Sequence, residues 1–210
     1  MISKAFKYGG FIAAAVLIVF GVVAIVMGMN GRSTVQSSLK QEAITGSPDM
    51  TPAAIATEAK AAGLPSTLAL PTCSVAGKLI DSGASARCFA SYIRIHALEA
   101  SGGKTYSQLP RFATANGAGT SDPKAALKDD KGAPVSNPVR DTWITATALS
   151  TALNVSYMAD QLALFGIVVG IALLLVGIGF GVLAAGLIER KPRAVREVDA
   201  PAAAAPAAVA

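Results

Sequence analysis

Two stretches of the 210-residue chain carry no charge, one between Lys7 and Arg32 and the other between Asp160 and Glu189. The first contains FIAAAVLIVFGVVAIVMGM over residues 11–29, long enough as a helix to cross roughly 30 Å of hydrocarbon. The second, QLALFGIVVGIALLLVGIGFGVLAAGLI over residues 161–188, is longer than that, so it tilts or extends past the bilayer. Between them the apolar pattern is short-ranged and broken by turn chemistry. The pattern predicts a mainly α protein: two transmembrane helices flanking a small helical extracytoplasmic domain.

After the first run, GRSTVQSSLKQEAI is compatible with an outward extension of the helix or with a linker. SPDMTPAAIATEAKAAGLP is a clearer unit. Asp49 or Thr51 serves as N-cap, Pro52 takes the first helical position, and Gly63 followed by Pro65 stops the helix; Ile55 is its one large aliphatic contact. Residues 84–100, ASARCFASYIRIHALEA, place Phe89, Tyr92, Ile93, His96 and Ala97 on one helical face, with Arg87, Arg94 and Glu99 directed to solvent. From Lys104 to Asn137 the pairs Asn116-Gly117, Asp122-Pro123, Lys131-Gly132 and Asn137-Pro138 break every periodic run, which leaves a loop with at most one helical turn near Pro123 to Lys128. A last helix begins at Pro138 and meets no Gly or Pro before Gly166. Its Thr and Val content lowers intrinsic propensity, so packing of Trp143, Leu149, Leu153 and Tyr157 has to support it.

Composition agrees with a membrane protein: 52% of residues are hydrophobic and 15% charged. Lys4 and Lys7 precede an apolar run as in a signal peptide, but the run is too long for an h-region and no A-x-A-like site follows it before Asn30, so it reads as an uncleaved anchor. Lys4 and Lys7 before the first span, with Arg190, Lys191, Arg193 and Arg196 after the second, put both termini on the cytoplasmic side of the plasma membrane. The expected organisation is a cytoplasmic N-terminus over residues 1–10, spans at 11–29 and 161–188, an external domain at 30–160 and a disordered Ala/Pro tail at 189–210. The external segment holds twelve Lys/Arg against ten Asp/Glu, too even a balance for a nucleic-acid surface.

Cys73 and Cys88, the only two cysteines, lie in the segment expected outside the cell, where disulfides persist. Their spacing lacks the short C-x-x-C of redox and zinc motifs. The expectation is a structural disulfide closing a loop of about 15 residues, worth on the order of 3 kcal/mol. His96 lies roughly 12 Å along the helix from Cys88, so the two cannot share a metal or a proton; beside Phe89, Tyr92 and Ile93 it reads as a packed, hydrogen-bonded imidazole. No catalytic, metal or cofactor residue is assigned. Gly103-Lys104-Thr105 lacks the first glycine and preceding strand of a phosphate loop, and Gly177-Ile178-Gly179-Phe180-Gly181 lies inside an apolar span.

The membrane glycines are informative. Gly166, Gly170, Gly177, Gly181 and Ala185 form a small-residue stripe on the second span; Gly10, Ala14, Gly21 and Gly28 form one on the first. Either the spans pack on each other, or the stripes serve a homo-oligomer or a larger membrane complex. Neither span contains a charge, which argues against an ion or proton path built by this chain alone.

The segments MISKAFKYGG, GRSTVQSSLKQEAITGSPDMTPAAI, TCSVAGKLIDSGASARCFASYIRIHALEASGGKTY and FGIVVGIALLLVGIGFG together resemble a group of small actinobacterial two-span membrane proteins, often automatically labelled aromatic ring-opening dioxygenase. The resemblance covers roughly residues 1–188 and carries no established catalytic residues. Such a label implies iron held by two histidines and a carboxylate, whereas the chain has one histidine; it leaves room for an accessory chain without its own iron. The expected function is therefore non-enzymatic, as an interaction, envelope or accessory subunit in the lipid bilayer. The alternative is an external ligand sensor that signals through a partner.

Overall fold

A computed structural model describes residues 2–189; the Ala/Pro tail and the basic residues Arg190, Lys191, Arg193 and Arg196 lie outside the described residues. The architecture is mainly helical, with α1 at Ile2–Gln41, α2 at Pro52–Ala61, α3 at Gly83–Ala100, a 3-10 turn at Tyr106–Gln108 and α4 at Pro138–Glu189. Among the described residues, β-pairing is confined to isolated bridges. Two helices, α1 and α4, are long and apolar enough to cross a membrane. The described residues fall into two compact units, one from residues 2–21 with residues 172–189 and the other from Val22–Ile171.

The stretch left open between helix and linker is helix through Gln41. Gly31 inside it costs about 1 kcal/mol relative to alanine, but it lets the backbone pass close to α4, since a Cβ there would meet Ala163 Cβ at 3.3 Å. Beyond it, Val35 and the buried Leu39 join the core of the larger unit. α1 ends as Ala43 turns left-handed at φ 50°. The chain then pairs with the segment preceding α3, through Ile80 N–H to the Ile44 carbonyl at 2.8 Å and Gly77 N–H to that of Gly46 at 2.8 Å.

α2 begins where the sequence indicates. The Thr51 hydroxyl accepts from Ala54 N at 3.2 Å, Pro52 fills the first turn and Ile55 is fully buried. α3 starts at Gly83, one residue ahead of the expected start, because Ser82 and Ser85 cap each other's backbone N–H reciprocally. It is buried over more of its circumference than the single expected face. Ile95 and Leu98 are as inaccessible as Phe89 and Tyr92, because Ile55 and Leu39 pack in one cluster with α3 while Trp143 and Leu109 pack in a second.

The segment after α3 has its helical turn at Tyr106–Gln108, not near Pro123 to Lys128. There the Asp122 carboxylate accepts from Lys124 N at 2.9 Å, holding a turn of a kind that competes with helix. Bridges from Phe112 to Thr120 and Ser136 tie the segment to itself. It is anchored to α4 twice: Trp143 Nε1 donates to the Lys104 carbonyl at 2.9 Å, and Asn137 donates to the Pro110 carbonyl at 3.0 Å while accepting from Val139 N at 3.1 Å. α4 runs 52 residues without interruption, about 78 Å. Trp143 and Leu153 are buried along it, with Leu149 and Tyr157 partly so.

Small residues line close helix contacts in each unit. In the smaller unit a Cβ on Gly10 would lie 3.1 Å from Ala184 Cβ, and one on Gly177 would lie 3.1 Å from the Ala14 carbonyl oxygen; Gly181 faces Ala14 Cβ at 3.8 Å. Ala185 is exposed and Ala184 takes the inward place. At 100° per residue Ala184 returns close to the azimuth of Gly177, whereas Ala185 is turned away by roughly 80°. In the larger unit Gly28 meets Ala163 and Ile167 with no room for a side chain, and Gly166 faces Ala24. Gly21 and Gly170 are buried.

Where both charge-free stretches end, Arg32 Nε donates to Asp160 Oδ1 at 2.9 Å. Asp160 is 4% exposed, and its side chain lies against Gly83, where a Cβ would stand 2.6 Å from Asp160 Cβ and 3.1 Å from Tyr157 Cα. Gly83→Ala is expected to cost about 1–3 kcal/mol by overpacking, read as a lowered thermal midpoint. Arg32→Met should cost about 2–3 kcal/mol by leaving a buried carboxylate unpaired. Asp160→Asn should cost less, and the double variant should recover stability relative to Arg32→Met alone; strictly additive losses in chemical denaturation would contradict this.

Candidate functional site

His96, on the fourth turn of α3, is partly buried, and three carboxylates surround it. Glu99, one turn on, places Oε2 3.1 Å from His96 Nδ1. Asp49, in the turn before α2, brings Oδ2 to 3.7 Å from Nε2. Glu58, on α2, brings Oε2 to 4.0 Å from Nδ1. One ligand atom from each of Asp49, Glu58 and His96 can be chosen so that all lie within 4.8 Å of one another. No Lys or Arg among the described residues is within ion-pair distance of these carboxylates.

Local sequence explains each placement. The Thr51 cap and Pro52 orient α2, so that Glu58 lies on its second turn. Asp49 sits just before the cap, with its carbonyl accepting from Thr51 N at 2.6 Å; Thr51, and not Asp49, caps the helix. Glu99 is 19% exposed at the side chain, so it folds onto His96 and does not reach into solvent. His96 Nε2, Asp49 Oδ1 and Glu99 Oε1 are buried atoms without a hydrogen-bond partner. The Asp49 carboxyl is held below its ordinary range, first by the Ser47 hydroxyl and to a lesser extent by His96, against the opposing effect of burial.

The helix that carries His96 is clamped by the disulfide. Cys73 and Cys88 are joined, and the Tyr92 hydroxyl, one turn past Cys88, donates to the Cys73 carbonyl at 2.6 Å. Tyr92 is fully buried, and burial pushes its phenol up from the ordinary value. The disulfide is thus remote in role from His96 and fixes the helix that carries it. Beside His96 an open groove of about 620 Å³ runs between α3 and α4, lined also by Ile93, Asp141 and Thr145.

The three carboxylates around His96 were not apparent from spacing. Only Glu99, at i+3, left a local signal, since residues three apart share a helix face. Comparison with family models, curated proteins and solved structures finds no match.

The lowered Asp49 value has a definite sign. A carboxyl titrating below its ordinary 3.8 stabilises the fold fully above that value, and the contribution is lost as pH falls through the lowered one. In the presence of chelator, wild-type stability followed by denaturant midpoint should fall on acidification below about pH 5 more steeply than that of Asp49→Asn. Parallel profiles would contradict the assignment.

Proposed function

We propose that the chain is a two-span integral protein of the plasma membrane, with both termini cytoplasmic and residues 30–160 outside, and that its external domain serves interaction or accessory-subunit roles without catalysis of its own. The observation that carries the membrane reading is the exposure of large apolar side chains along both charge-free stretches. Phe20 is 64% exposed, Met27 68%, Phe165 63% and Leu175 65%. A soluble helix buries such residues against a core, and a contiguous apolar surface of this extent calls for lipid or another protein. The charge rule supports the orientation, and a disulfide supports an oxidising compartment for the domain.

Sensing is a second reading, favoured by the continuity of α4. The helix that holds Trp143 and Leu153 in the domain core is the one that carries the second apolar stretch, so displacement of the first part is transmissible to the rest. In this reading a partner chain receives the displacement.

Topology is testable by thiol labelling in intact cells. Cysteine introduced at exposed Lys124 should react with a membrane-impermeant maleimide, whereas cysteine introduced at Lys4 should react only after permeabilisation. Cys73 and Cys88 should stay unlabelled without reductant. The reverse pattern of the two introduced cysteines would overturn the orientation. Repeated recovery of a lone chain from mild detergent would count against the accessory role.

A further inference from the structure

We infer that Asp49, Glu58 and His96 bind one divalent transition-metal cation of the zinc class, with Glu99 as a positioning residue. This goes beyond the membrane reading and does not depend on it. The first ground is electrostatic. Three carboxylates converge on one imidazole with no Lys or Arg among the described residues within ion-pair distance, an arrangement whose mutual repulsion a bound cation removes.

The second ground is donor geometry. Glu99 Oε2 at 3.1 Å from Nδ1 assigns a proton to that nitrogen, in the manner of a carboxylate that orients a ligating histidine. Nε2 is then left as the donor. It is buried without a partner, and its nearest carboxylate oxygen, Asp49 Oδ2, stands at 3.7 Å. That distance is too long for a direct hydrogen bond. It is close to the edge of a coordination shell, since ligands at about 2.0–2.1 Å from zinc lie roughly 3.0–3.4 Å apart. Glu58 Oε2 stands nearer Nδ1, at 4.0 Å, so closing the set around Nε2 requires its partly exposed side chain to swing across the ring, within a cluster whose ligand atoms already lie inside 4.8 Å of one another.

The donor set selects the ion class. One imidazole with two carboxylates suits zinc or a neighbouring divalent transition ion; an all-oxygen shell would favour calcium or magnesium, and thiolate is absent because both cysteines are in the disulfide. Three protein ligands leave a coordination position for water. The partial exposure of the Asp49 and Glu58 side chains, 37% each, provides a route by which ion and water exchange.

The test uses the full chain, purified in detergent with an affinity tag free of histidine and stripped with EDTA. Isothermal titration with zinc chloride should show one equivalent per chain, and zinc should raise the thermal midpoint. Asp49→Asn and Glu58→Gln should each weaken binding at least ~10-fold and abolish the thermal shift, while His96→Gln should remove binding. Glu99→Gln should lower affinity by roughly 10–100-fold at unchanged stoichiometry. Retention of the disulfide and of the far-ultraviolet helical spectrum identifies folded variants; if His96→Gln fails that check, the two carboxylate variants decide. Binding no tighter than about 1 mM, or equal zinc affinity in wild type and all folded variants, would overturn the proposal.

Discussion

The larger unit depends on the ion pair between Arg32 and Asp160. Each residue is the charge that bounds an apolar stretch, so their contact at 2.9 Å fixes the register at which α1 and α4 meet. A one-turn slip of either helix would leave Asp160 buried without its partner, at a cost of several kcal/mol. The neighbouring contacts follow from that register: Gly28 passes Ala163 and Ile167 at a distance that admits no side chain, and Gly83 abuts Asp160 itself. Asp160 therefore serves three helices, since the first turn of α3 presents the positive end of its dipole toward this carboxylate.

From that junction α3 acts as the axis of the segment between the two apolar stretches. Its N-terminus is fixed by the Ser82–Ser85 cap and by Asp160, its second turn by the disulfide, and its third by the Tyr92 hydroxyl on the Cys73 carbonyl. Constraints at successive turns leave little freedom of rotation, so the azimuth of His96 near the C-terminal end is set by the turns before it. The Thr51 cap and buried Ile55 set α2 in the same way, and the two helices bring His96 and Glu58 together by rigid packing.

Much of this fold is legible in local chemistry. The Thr51-Pro52 start of α2, the Gly63 stop and the unbroken run after Pro138 are signals carried by neighbouring residues, and the corresponding helices follow them closely. The helical continuation past Gly31 is not decided locally, because its Ser/Thr content weighs against helix. Packing of Val35 and Leu39 in the core decides it. Burial of Ile95 and Leu98 is illegible for the same reason: a single apolar face predicts one neighbour, and α3 has several. The carboxylates around His96 were illegible in principle, because Asp49 and Glu58 reach it only through the α2–α3 packing.

The distribution of cations sharpens the character of that cluster. The segment over residues 30–160 has more Lys and Arg than Asp and Glu, so a carboxylate cluster without a basic partner is not forced by composition. Three of the segment's five guanidinium groups are committed elsewhere. Arg32 pairs with Asp160, Arg87 lies over the Tyr157 ring at 4.8 Å and Arg140 over the Tyr106 ring at 4.1 Å, contacts that use their charge against aromatic faces. Around His96 the helix faces instead gather carboxylate acceptors, and the imidazole faces them as the basic side chain. That segregation of charge, on elements clamped by a disulfide and a buried tyrosine, concentrates acceptors at one imidazole in a segment whose remaining residues carry an excess of cations.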